Sequence, residues 1–257
     1  MCSASRPIGG LPIPPIVCVA PVSSVDASPS SDYRRDTFNR LAGRGLEIGA
    51  LHHPAPAPAT AHVEYFDAMT RERAAELFPE VPAQSLVVVD HIGDLDHDGL
   101  SQFPDGTFDF VIASHVIEHV ANPINVVREL FRLLRSGGLA VIAIPDKEYT
   151  YDRQRAVTPF EHLWADYENG TTENDDEHYL DFLRSAGPHV FDEPPEHLPG
   201  HIARVRERRE HAHVWTSDSF RAMLDTCLPR LGINATCRLE SLGHHNHLEY
   251  FGLWEKQ

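Results

Sequence analysis

Short apolar runs bounded by polar turns recur along this chain and predict strands buried on both faces. Leu86-Val87-Val88-Val89, Phe110-Val111-Ile112 and Leu139-Ala140-Val141-Ile142-Ala143 show no polar alternation, the pattern of parallel strands covered on each side. Leu46-Glu47-Ile48 and Val63-Glu64-Tyr65-Phe66-Asp67 precede them as further strands, and Thr236 to Leu242 and Leu248 to Trp254 follow as the last two. Helical spacing of Ile124, Val127, Leu130 and Leu134 predicts a helix over 123–134, and Ser136-Gly137-Gly138 predicts its stop before the next strand. Shorter helices are expected over 33–41, 71–78 and 217–228, and Pro54 to Pro58 should form a stiff surface connection. The alternation implies the α/β class, a largely parallel sheet layered by helices.

Two stretches break this rhythm. Residues 1–31 are Pro, Ser, Ala and Gly without periodicity, which predicts a tail outside an ordered domain spanning 32–257. Residues 145–215 are rich in His, Asp, Glu, Tyr and Pro, and far exceed an ordinary connection of about 4 to 6 residues. Such an insertion reads as a lid that carries function.

Charge and cysteine usage narrow the partners. With 22 Lys and Arg against 38 Asp and Glu, the net charge of −16 argues against nucleic acid and leaves a small molecule as the expected substrate. No apolar run reaches the roughly 18 residues of a membrane span. Cys2, Cys18, Cys227 and Cys237 are too far apart for a CxxC motif, so a reduced, cytoplasmic protein is expected. No pattern specifies an oligomeric state.

The chemistry-bearing motifs begin at Gly45-Leu46-Glu47-Ile48-Gly49-Ala50-Leu51, where a strand ends in an acid and a glycine that lets backbone approach a ligand. Asp67 closes the second strand, where a carboxylate can accept both hydroxyls of a ribose or cap the next helix. Asp90 follows the third apolar run; Asp94 and Asp96 compete with it for the same role but read rather as solvated loop charges. The segment Phe108-Asp109-Phe110-Val111-Ile112-Ala113-Ser114-His115-Val116-Ile117-Glu118-His119-Val120 then leads to a helix and an Arg-Ser-Gly-Gly turn.

In this order, from Tyr33 to Lys256, these segments resemble a class I S-adenosylmethionine-dependent methyltransferase, of a bacterial small-molecule or natural-product subgroup. The resemblance implies a Rossmann-like seven-stranded methyltransferase sheet with a helical lid insertion between strand 5 and the last helix. It also implies S-adenosyl-L-methionine as cofactor. Glu47, Gly49 and Ala50 would then hold its methionine end, Asp67 its ribose, and Asp90 its adenine amino group, with His91 and Ile92 lining the ring. Ser114 and His115 would lie near the transferring methyl, and His119 reads as a structural histidine.

Within the insertion, His162 and Asp166 are one helical turn apart, as are Asp175 and Tyr179, and so project from common faces. His211 and His213 would point the same way from a strand, able to bind a divalent metal or an anionic substrate. The run Glu173, Asp175, Asp176, Glu177 and His178 would supply a third ligand, although acidic runs are usually solvated and a metal is the lesser expectation. Trp215 either covers a substrate with its ring face or packs in the core. His115, His162, His178, His211 and His213 are the candidate bases, since imidazole titrates near neutrality. Methyl transfer to a small-molecule acceptor is the expected activity. The alternatives are Mg-assisted C-methylation of an anionic, prenyl-diphosphate-like precursor, and a cofactor-binding protein without catalysis.

Overall fold

Parallel pairing of the early strands sets the architecture of the computed structural model, which describes residues 32–97 and 99–257. The expected tail, residues 1–31, lies outside the described residues. Seven strands, counted among the described residues, run β1 (Gly43–Ile48), β2 (Ala61–Asp67), β3 (His91–Ile92), β4 (Phe108–Ser114), β5 (Leu134–Pro145), β6 (Ala235–Ser241) and β7 (Glu249–Lys256). They form one sheet in the order β3-β2-β1-β4-β5-β7-β6. The first five are parallel, and β7 inserts antiparallel between β5 and β6. Strand order reverses between β1 and β4, and crevices form at such a switch, outside the carboxyl ends of the strands.

Both faces of the sheet are covered, as its continuous apolar runs require. On one face α3 (Pro123–Leu133) and α7 (Ser217–Arg230) pack Ile124, Val127, Leu130 and Leu224 against Val111, Ala113 and Ile142. On the other, α1 (Asp32–Phe38) sets Phe38 against Phe110, Ile112, Val141 and Phe251. The α3 helix starts where Asn122 accepts from the Asn125 N–H and Pro123 stands in the first turn.

Two expectations needed correction. Ser136-Gly137-Gly138 does not separate helix from strand, because β5 begins at Leu134 directly after α3 and contains all three residues. The left-handed Gly137, at φ +75°, instead sits where the pairing with β4 shifts register. Residues 86–89 form no strand. Val88 is 65% exposed, and the Val87 N–H donates to the carbonyl of Leu51 at 2.8 Å, so this backbone is used by a loop; the third strand is His91–Ile92.

Between β5 and α7 the chain builds α4 (Phe160–Asn169), α5 (Asp176–Ala186) and α6 (Leu198–Glu207), linked by short 3-10 turns. Tyr179, Phe182, Leu183, Val190 and Val205 give this insertion a small core of its own. Its two ends meet: Asp146 bridges Trp215, and the Lys147 N–H donates to the Trp215 carbonyl at 2.9 Å. No helix among the described residues is long and apolar enough to cross a membrane.

Candidate active site

The carboxyl ends of β2, β1 and β4 lie side by side and bring Asp67, Gly49 and Ser114 to one edge. Gly49 is left-handed at φ +66°, and a Cβ there would stand 2.9 Å from Val116 Cγ2, so only glycine leaves the turn open. Just before it, Glu47 is 3% exposed and both its oxygens accept from the Ala55 N–H, at 2.9 and 3.1 Å. Burial pushes the Glu47 carboxyl up to about 7, against the pull of that N–H and the charge of Arg34. Burial also raises Asp67, whose Oδ1 accepts from the Met69 N–H at 3.3 Å. Ala50 opens the following turn, its carbonyl accepting from His53 at 2.8 Å. The Leu51 to Val87 hydrogen bond draws two loops together near Asp67, leaving a hollow of about 10 Å³ bordered by Leu51, Thr70, Leu86 and Val89. A cleft of about 790 Å³ lies elsewhere, between α3 and α4, lined by Asp96, Asn122, Asn125, Arg128, Tyr167 and Thr171.

The shift of the third strand changes the acid at its end. Asp90 precedes β3 and accepts from the Tyr65 N–H at 2.9 Å, which turns its carboxylate to the β2 backbone. His91 is held by Glu64 at 2.7 Å and packs edge-on to Phe103, while Ile92 is 49% exposed. The acid beyond β3 is Asp94, ion-paired with Arg209. Asp96 is not a solvated charge either: its Oδ1 accepts from the Ala121 N–H at 2.7 Å, and burial pushes it up to about 6.

At the tip of β4, His115 adopts φ +57° and its Nε2 meets Glu249 Oε2 at 2.8 Å. Glu249 is fully buried and also accepts from Tyr33 Oη at 2.8 Å and from Arg34 Nε at 2.7 Å. Burial alone would raise its carboxyl, but the His115 hydrogen bond and the Arg34 charge outweigh burial and hold it at about 2. The other His115 nitrogen lies 3.8 Å from Glu118.

Glu118 is 1% exposed, and neither oxygen has a hydrogen-bond partner. His119 Nε2 approaches it at 3.6 Å and His211 Nε2 at 4.0 Å. Burial raises the Glu118 carboxyl, and burial with the neighbouring His211 depresses His119 to about 3. Each imidazole is fixed through its far nitrogen: His119 Nδ1 donates to the Arg209 carbonyl at 2.5 Å, and His211 Nδ1 meets Asp152 at 2.6 Å. Glu118, His119 and His211 thus offer a donor set able to take a cation. Tyr151 Oη lies 3.0 Å from His211 Nε2, and Arg155 braces Asp152 at 2.8 Å.

His211 and His213 do not share a site. They lie on an irregular extended segment, and His213 turns instead to His162 and His178, its ring 5.7 and 5.2 Å from theirs. Of the run over 173–178, His178 joins His213, while Asp175 caps α5 and holds His178 Nδ1 at 2.7 Å, and Asp176 pairs with Arg206. Trp215 is 2% exposed and edge-on to Phe220, so its ring packs in the core rather than over a substrate. Tyr151 and Asp152 lie in a segment, 149–153, that carries the family resemblance, but sequence spacing gave no sign of Arg34, Arg155, Arg209 or Glu249, each of which contacts partners distant in the chain. Glu118 carried a signal of its own, in the Glu-His pair after β4.

Residues 25–226 match the family model described as a methyltransferase domain. No curated protein matches the chain. Among solved structures, a Rhodobacter sphaeroides protein described as a Zn-dependent alcohol dehydrogenase is 15% identical, with 89% of this chain and 90% of that one covered and a TM-score of 0.51. The CurJ carbon methyltransferase is 16% identical over 83% of this chain at a TM-score of 0.42, and the chain spans 48% of that structure's length. An Aquifex aeolicus SAM-dependent methyltransferase is 15% identical, with 86% of each chain covered and a TM-score of 0.42. Identities this low speak to the fold alone.

Proposed function

Because the chain belongs to the methyltransferase domain family, we propose that it transfers the methyl group of S-adenosylmethionine to a small-molecule acceptor at the tips of β1, β2 and β4. The observation that carries this reading is the convergence of Gly49, Asp67 and Ser114 on adjacent parallel strands at the point where strand order reverses. Gly49 gives the methionine end of the cofactor room to approach backbone, with Glu47 and Ala50 beside it. The Asp67 carboxylate, already desolvated, suits the paired hydroxyls of a ribose. Asp94 replaces Asp90 as the acid at the adenine end, with Arg209 as its counter-ion.

The bound sulfonium supplies an activated methyl, so this chain's residues have to position the acceptor, exclude water and take up any proton. The helices α4 to α6 serve as the lid in this reading, with Tyr151, His211 and Glu118 beneath them. His211 is the favoured base of the five candidates. Asp152 fixes its Nδ1, and its Nε2 reaches the hydroxyl of Tyr151. His115 suits the role less, since its Nε2 is taken up by the fully buried Glu249, and neither nitrogen of His213 has an orienting carboxylate or a hydroxyl within hydrogen-bond reach. The acidic surface favours a neutral or cationic acceptor over a polyanion.

Incubating the full chain with methyl-labelled cofactor and a fractionated metabolite extract tests the proposal. Label should enter a low-mass acceptor, and more slowly with the His211→Ala variant. Label confined to protein or nucleic acid, or bound cofactor with no transfer to any fraction, would overturn it.

A further inference from the structure

A second group of histidines lies inside the helical insertion and is independent of the methyl donor. His162 stands on α4, His178 on α5, and His213 on the extended segment that follows α6. His162 Nε2 and His178 Nε2 are 3.1 Å apart, and one nitrogen from each of the three rings falls within 4.8 Å of the others. Asp166, one turn beyond His162, places its Oδ2 3.2 Å from His162 Nε2.

Direct hydrogen bonding does not account for this arrangement. One proton shared between His162 and His178 would satisfy that pair. It would leave His213, 1% exposed, without a hydrogen bond to any side chain, and the buried Oδ2 of Asp166 facing the His162 ring alone. Unpaired buried polar atoms are costly, and three imidazoles drawn this close together suggest a missing occupant. The spacing also admits one. Zinc-bound nitrogens stand about 3.3 Å apart on a tetrahedron, near the 3.1 Å between His162 and His178, and His213 offers a nitrogen within 4.8 Å of both.

The surrounding contacts orient these donors outward from their anchors. His178 Nδ1 is held by the Asp175 carboxylate at 2.7 Å, which leaves Nε2 as the lone-pair nitrogen. The Thr171 hydroxyl donates to Asp166 Oδ1 at 3.1 Å and leaves Oδ2 directed at His162, 3.2 Å from its Nε2. A set of imidazoles suits Zn2+ rather than Mg2+ or Ca2+, which prefer oxygen ligands.

We propose that His162, His178 and His213 form a Zn2+ site that fastens α4, α5 and the 210–215 segment together. Three imidazoles hold the ion, and the fourth tetrahedral position is open to water. The ion would cross-link three parts of an insertion whose own apolar core is small.

Metal analysis of the purified full chain, followed by titration of the chelated protein with Zn2+ and Co2+, tests this. One Zn2+ equivalent per chain is expected, with visible absorption typical of tetrahedral Co2+ when cobalt replaces it. His162→Gln and His178→Ala, both partly exposed positions, should lose that equivalent and the cobalt band, while Glu118→Gln keeps both. Asp175→Asn, which retains the helix cap, should weaken the metal about 10- to 100-fold. Wild-type protein that takes up neither ion would overturn the site. So would histidine variants that bind as the wild type does, or loss of the metal in Glu118→Gln with retention in His162→Gln.

Discussion

His115 and Glu249 join the tip of β4 to the first residue of β7, with imidazole Nε2 and carboxylate 2.8 Å apart. Arg34 completes the arrangement from α1, so three elements from opposite ends of the sequence meet at one buried carboxylate. The folded pKa of Glu249 is about 2, below the ordinary 4.5, so its ionised form stabilises the fold. That contribution is full above about pH 4.5 and is lost as pH falls toward 2. Denaturant unfolding between pH 3 and 7 should therefore show a smaller loss of stability on acidification in Glu249→Gln than in wild type. At pH 7 the variant should be less stable by roughly 3 kcal/mol, because it leaves His115 and Arg34 without their anion.

Cofactor binding should depend on the strand tips. Gly49→Val should abolish measurable affinity in calorimetry, since its side chain meets Val116 and strains a left-handed turn. Asp67→Ala should cost roughly 1.5 to 3 kcal/mol. Unchanged binding in both variants would remove S-adenosylmethionine from this edge of the sheet.

The relocated third strand gives a sharper contrast. Asp94→Ala should weaken the cofactor, whereas Asp90→Ala, which loses only a contact to the Tyr65 backbone, should bind close to wild type. The reverse ranking in the same titration would restore Asp90 to the adenine end.

Glu47 links binding to protons. Burial lifts its carboxyl to about 7, and a cofactor ammonium bound beside it, as proposed, would favour the ionised form. Binding should then release a proton below about pH 7, and affinity should fall as pH drops from 7 to 5. Calorimetry in buffers of different ionisation enthalpy reads this directly, and Glu47→Gln should show no such dependence.

Turnover should separate His211 from its neighbours. His211→Ala is expected to lower methyl transfer about 100-fold with cofactor affinity unchanged, and Asp152→Asn to lower it less, by releasing the ring from its orientation. Equal rates in wild type and His211→Ala would move the base elsewhere.

How far the sequence discloses this molecule depends on whether a feature is local. The strands of residues 108–114 and 139–143 announce themselves, because burial on both faces demands uninterrupted apolar side chains such as Phe110 and Ile142. The run Val87-Val88-Val89 looks the same yet forms a loop, since pairing with β2 needs only Phe66 and Asp67 and falls to His91 and Ile92. Gly49 and Asp67 were legible from their positions after strands. The pairing of Glu249 with His115 was not, because those residues lie 134 positions apart and nothing in either neighbourhood encodes the contact. Alternation placed His211 and His213 on one face. The absence of a regular strand there sends them to separate clusters.

The bridge between Asp146 and Trp215 makes the insertion a closed excursion. The chain leaves the sheet and returns to it at one point, where Asp146 also accepts from the Ser217 N–H at 2.8 Å and so fixes the start of α7. Everything between these residues hangs from that one point and is then tied back to the rest of the fold: Arg209 reaches Asp94, and the Ala212 and His213 N–H groups donate to the Glu118 carbonyl at 2.9 and 3.0 Å. Excising positions 147 to 214 would therefore strip partners from the loop after β3 and from the segment after β4, and not only remove the helices of the insertion.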